Sequence, residues 1–248
     1  VNAAHQFRVN KDKESYILAG YPWFKPRARD TFISMPGLTL AIGERERFEA
    51  YMATAEKALY NFMRKEPMSV NIYEMEQPDT LLWATWTIQQ YAKYTSRKEC
   101  YEKYGKLLKD IMGFIWNGLH PNLFIHENGL LYANGRDHAI TWMNSQEGGR
   151  PVVPRSGYIV EFNALWYNAL KFFEQMLEEN DKEEHEDVKN RIKQDAEKMA
   201  RSFKEVFLNE YGYLLDYVDG QMMDWSVRPN QLFAIAFDYS PLDMKERK

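Results

Sequence analysis

A chain of 248 residues with 45% hydrophobic and 15% aromatic content can bury a sizeable core, as one large domain or two small ones. A net charge of −4 and a pI near 5.8 leave no electrostatic case for nucleic acid or an anionic membrane as partner. One cysteine, Cys100, excludes an internal disulfide framework and favours a reducing, cytoplasmic compartment, and no run approaches the roughly 20 apolar residues of a membrane helix.

In chain order, residues 1–20 are mixed, with a short extended segment over Tyr16–Gly20. The stretch Gly20-Tyr21-Pro22-Trp23-Phe24-Lys25-Pro26 is a loop, because its prolines forbid a continuous helix. After Asp30 the chain carries no charge as far as Ile42 and reads as a helix buried on every side, despite Pro36 and Gly37. Residues 44–65 follow as a strongly charged amphipathic helix. The alternation recurs: 79–94 is nearly uncharged and 97–116 charged, then 161–177 is sparse in charge and 183–208 dense in it. Residues 229–239, again almost without charge, begin a fourth unit. Between these helices, Glu127-Asn128-Gly129 and Asp219-Gly220 mark two small β hairpins.

Buried helices alternating with solvated ones predict an all-α fold in two concentric layers, an (α/α)6 toroid with small β hairpins in its loops. The chain holds too few hairpins to close that ring. An incomplete ring is therefore expected, its open flanks covered by a second copy or by the missing part of the chain. Without a low-complexity tract or a linker, residues 1–248 read as a single domain.

Each buried helix opens on polar residues: Arg29-Asp30, Asp79-Thr80, Glu161 with Asn163, and Asn230-Gln231. Parallel inner helices would bring these groups to one mouth. Helix capping is the competing reading, and for Asp79, after Pro78, it is the preferred one. Asn163, Trp166, Tyr167 and Leu170 fall on one helical face, just after a loop carrying Trp142. Rings beside carboxylates and amides suit a sugar, whose CH faces lie on rings while its hydroxyls need fixed partners. His120, His126 and His138 lack metal-ligand spacing, so no metal and no cofactor are expected.

Taken together, Gly20-Tyr21-Pro22-Trp23-Phe24, Arg29-Asp30-Thr31, Thr141-Trp142-Met143, Pro154-Arg155, Glu161-Phe162-Asn163-Ala164-Leu165-Trp166 and Arg228-Pro229-Asn230-Gln231 resemble, in order and spacing, the amylo-alpha-1,6-glucosidase module of glycogen debranching enzymes. The resemblance implies a metal-free, inverting glycoside hydrolase acting on α-1,6-linked glucose branches of glycogen or related α-glucans. It implies that Arg29 and Asp30 grip the terminal glucose, with Trp23, Trp142 and Trp166 lining its subsite. Arg155, Glu161, Asn163 and Asn230 would complete a polar wall.

Two departures stand out. Asn144 occupies the position of the family's expected acid, and an amide cannot deliver a proton to a leaving oxygen. Glu161 is then either the acid, its pKa raised by an aromatic site, or a hydroxyl binder. Lys25-Pro26-Arg27-Ala28 also replaces the Trp-Gly pair that the family more often carries. The rival reading from another class is a non-hydrolytic α-glucan-binding or scaffolding module. A weaker one is another sugar-processing α/α barrel.

Overall fold

The computed structural model describes residues 2–180 and 186–247. The chain divides into two units, Val1–Phe114 and Ile115–Lys248. In the first, helix α1 (Asn2–His5) precedes a hairpin of β1 (Arg8–Lys11) and β2 (Glu14–Ile17), with Lys11 opposite Glu14. The aromatic loop follows, and Trp23 is 84% exposed there. Helices α2 (Ala28–Leu38), α3 (Arg45–Met63), α4 (Thr80–Tyr94) and α5 (Arg97–Trp116) come next.

Helix α2 is shorter and less enclosed than its uncharged sequence suggests. It stops at Leu38, a 3-10 turn covers Leu40–Ile42, and Asp30, Ile33 and Gly37 face solvent. Pro36 has no N–H to give the Phe32 carbonyl one turn back. Thr87 Oγ1 of α4 supplies the missing donor at 2.7 Å, so the proline becomes a point of attachment between two helices. Helix α4 matches its expectation: Leu81, Leu82, Ala84, Ile88 and Tyr91 are all buried.

The second unit contains β3 (Phe124–Ile125), β4 (Leu131–Ala133), β5 (Gln146–Glu147), β6 (Arg150–Pro151), β7 (Gly157–Ile159), helix α6 (Val160–Asn180), helix α7 (Glu186–Phe207), β8 (Tyr217–Asp219), β9 (Met222–Met223) and helix α8 (Leu232–Ala236). The first three residues of the charged helix expected over 183–208 lie outside the described residues. The buried helix expected over 229–239 is a 3-10 turn at Pro229–Gln231 followed by the five residues of α8.

Both expected hairpins form, β3–β4 and β8–β9, but β7 joins them. Among the described residues this makes a five-stranded antiparallel sheet in the order β3-β4-β7-β8-β9. That sheet overturns the all-α, (α/α)6 reading, including its incomplete-ring form. What looked like ornaments in loops is a layer that joins distant parts of the second unit, and α6 and α7 pack against it. Leu131, Ala133, Ile159 and Tyr217 are buried from this layer, while α6 and α7 enclose Trp166, Phe173, Met199 and Phe203. Among the described residues no helix is long and apolar enough to cross a membrane.

Candidate functional site

Three short stretches meet where β7 runs into α6. Arg155 lies just before β7, Glu161 sits in the first turn of α6, and Asp216 immediately precedes β8. Strand pairing fixes their neighbourhood, because Ile159 faces Tyr217 and the Val160 amide donates to the Asp216 carbonyl at 3.2 Å. The Arg155 guanidinium then bridges two carboxylates. It grips Glu161 with both Nη atoms, Nη2 reaching Oε2 at 2.6 Å, and it donates from Nε to Asp216 Oδ2 at 2.8 Å. All three side chains are essentially sealed from solvent, at 1–2% exposure.

The network continues outward. Arg228 Nη1 donates to Asp216 Oδ2 at 2.7 Å and to Asp224 Oδ2 at 2.8 Å. Asn230, itself fully buried, donates from Nδ2 to Asp216 Oδ1 at 2.6 Å. Its Oδ1 accepts the Trp142 indole N–H at 2.7 Å. Trp142 is the surface end of this chain of contacts, 47% exposed, beside an open hollow of about 280 Å³ lined by Trp142, Met143, Asn144, Ser145, Val152 and Val153.

Three carboxylates face two guanidinium groups here, so the cluster is negative by one charge if all are ionised. Burial pushes the Glu161 carboxyl above its ordinary range, against the pull of Arg155. Burial also works against the charge of Arg155, but Glu161 and Asp216 outweigh it and hold the guanidinium above its usual value. Asp224 is partly buried, which opposes ionisation, yet Arg228 and Ser226 keep it below the usual carboxylate range.

The remaining expected residues fall into separate settings. In the second unit, Asn163 spends its amide on the backbone, donating to Leu131 O at 3.1 Å and Ile159 O at 3.0 Å and accepting from Leu131 N at 2.7 Å. Trp166 is 1% exposed and packs edge-on against Trp116. Asn144 is exposed on the wall of the hollow.

In the first unit, Arg29 is buried in a two-point pair with Asp79, from Nε at 2.6 Å and Nη2 at 2.8 Å. Asp79 stands at the N-cap position of α4 but makes no side-chain cap bond; it also accepts the Trp83 indole N–H at 3.1 Å. Asp30 is exposed and lines a separate hollow of about 230 Å³ with Phe7, Leu18, Ala19, Ile33, Ser34 and Leu38.

Asp216 and Asp224 were not singled out from sequence. A signal exists for the first, an acid inside the apolar run Leu214-Leu215-Asp216-Tyr217-Val218, since a buried carboxylate needs a partner. Nothing comparable marks Asp224.

Trp142 edges an open, mostly apolar hollow, and its indole N–H is fixed by Asn230 and the buried ion pairs behind it. The comparison with known families places the chain among glycogen-debranching, glucosidase-type modules. It belongs to the Amylo-alpha-1,6-glucosidase family, whose model matches residues 2–248, and the resemblance carried by the separated motifs is borne out. No curated protein matches the chain.

Proposed function

We propose that this chain binds the terminal glucose of an α-1,6-linked branch on glycogen or a related α-glucan at the Trp142 hollow, as part of an inverting hydrolytic site. The observation that carries the reading is the buried relay from Trp142 through Asn230 to Asp216 and Arg155. It presents a ring face whose orientation is set by hydrogen bonds that the sugar does not have to organise, which lowers the cost of binding. Glu161, with both oxygens on Arg155, acts here by holding Arg155 in place, not as the proton donor.

A second reading draws on Asn144. Its amide stands on the wall of the same hollow, at the position where the resemblance implies an acid, and it can bind a hydroxyl but not protonate a leaving oxygen. On that reading the module binds the branch and does not cleave it.

Glucose release from an α-1,6-branched limit dextrin separates the two. On the hydrolytic reading the protein releases glucose, and Asn144→Asp raises the rate by about 100-fold or more, the usual contribution of a positioned general acid. Dextrin binding with no glucose release from either protein selects the non-hydrolytic reading. A protein that binds no dextrin refutes both.

A further inference from the structure

The Ile115–Lys248 unit carries another group of aromatic rings, which takes no part in the Arg155 cluster. Tyr211 is 73% exposed and Trp225 is 44% exposed. Their rings meet edge-on, with centroids 6.4 Å apart and planes at 70°. Tyr213 is stacked against Tyr211, 6.3 Å away at 16°, so it backs the Tyr211 ring while Trp225 meets that ring edge-on.

The backbone under these rings is fixed. Asn209 Oδ1 accepts from the backbone amides of Tyr211 at 2.9 Å and Tyr213 at 3.3 Å, while the Asn209 backbone N–H donates to Tyr213 O at 3.0 Å. Gly212, at φ +82°, allows the tight turn, and the Gly212 amide donates to Asn209 O at 3.1 Å. On the other side, Asp224 is tied to Tyr217 O through its amide at 3.0 Å and to Arg228 through its carboxylate, which places Trp225. The Leu214 amide donates to Gln231 Oε1 at 3.3 Å, so the tyrosine turn is anchored to the same 3-10 turn that holds Asn230. Large rings with few rotamers on an anchored backbone are ready to bind at low entropic cost.

We propose that Tyr211, Tyr213 and Trp225 form a stacking platform for the linear part of an α-glucan, carrying the chain whose terminal glucose occupies the Trp142 hollow; this rests on the glucan reading above. A pyranose has apolar CH faces for the rings and hydroxyls for polar neighbours, and the exposed Glu210 and Ser226 flank the rings in sequence. Residues 209–227 contain no lysine or arginine, so the ligand that fits is neutral and not anionic. The platform and the hollow share one frame: Asp224 binds Arg228, both Arg228 and Asn230 bind Asp216, and Asn230 binds Trp142. Energy gained on the platform can therefore hold a branch in position at the hollow.

The test is calorimetric titration of the full chain with maltoheptaose and, separately, with glucose. Tyr211→Ala and Trp225→Ala are expected to weaken maltoheptaose binding by about five- to tenfold each, the scale of one lost ring contact. They should leave glucose binding and the melting temperature unchanged, and Trp225→Phe should keep most of the affinity. Trp142→Ala should weaken both ligands. Unchanged maltoheptaose affinity in the Tyr211→Ala, Trp225→Ala double variant overturns the platform while the glucose site stands, and assigns the patch to another partner such as a protein. If the unaltered chain binds neither sugar, the platform and the proposed function fall together.

Discussion

Arg155 is the residue on which the second unit's polar centre depends. Its guanidinium is buried between Glu161 and Asp216, so removing it leaves two carboxylates in a dry site without their counter-charge. Arg155→Met keeps most of the volume and should destabilise the protein by about 3–5 kcal/mol, the range for breaking one side of a buried pair. Urea unfolding followed by circular dichroism measures this. A loss below about 1 kcal/mol would mean that water reaches the carboxylates or that they bind protons instead. The sequence pointed to Arg155, Glu161, Asn163 and Asn230 as one group, and the structure does bring Arg155, Glu161 and Asn230 into one network through Asp216. It could not reveal that both Glu161 oxygens are taken or that Asn163 serves the backbone. Those facts depend on which strands pair, and motif spacing carries no information about that.

At the scale of elements, the sheet hinges on Gly157. It sits at φ +91°, and a Cβ there would lie 2.2 Å from the Val218 carbonyl oxygen. Gly157→Ala should therefore push β7 away from β8, separate Arg155 from Asp216, and cost about 3 kcal/mol from left-handed strain and the clash. Thermal unfolding checks it; an unchanged melting temperature would show that β7 can shift freely. The hairpins were legible because Asn-Gly and Asp-Gly turns are local signals, whereas β7 is three residues long and pairs with partners far along the chain. Glu49 of α3 accepts from Tyr91 of α4 at 2.6 Å and from Arg45 at 3.0 Å, and pairs with Lys103 of α5. Its partial burial opposes ionisation, but Lys103, Tyr91 and Arg45 together lower its pKa to about 2. A depressed carboxyl contributes stability that is full above its ordinary pKa and is lost as pH falls through the folded value. Stability should thus decline from about pH 4.5 down to about 2, and Glu49→Gln should flatten that part of the curve. Acid titrations of the two proteins with the same slope would remove Glu49 from the account.

For the molecule as a whole, family membership was readable from motifs spread over almost the entire chain, because loop chemistry was legible even where the arrangement of helices and strands was not. Charge periodicity located most helices, yet it could not distinguish helices ringed by other helices from helices laid on a sheet, since either kind of burial leaves the same uncharged stretch. A neutral sugar gains nothing from the net charge of −4, and the ion pairs behind Trp142 are buried, beyond the reach of salt. Dextrin affinity should therefore change less than about twofold as sodium chloride rises about tenfold from low ionic strength, whereas a ligand held by surface charge would weaken steeply over the same range. Calorimetric titration at the two salt concentrations makes the measurement. A steep loss would show that binding is electrostatic, and would move the ligand from the aromatic hollow to a charged surface of the molecule.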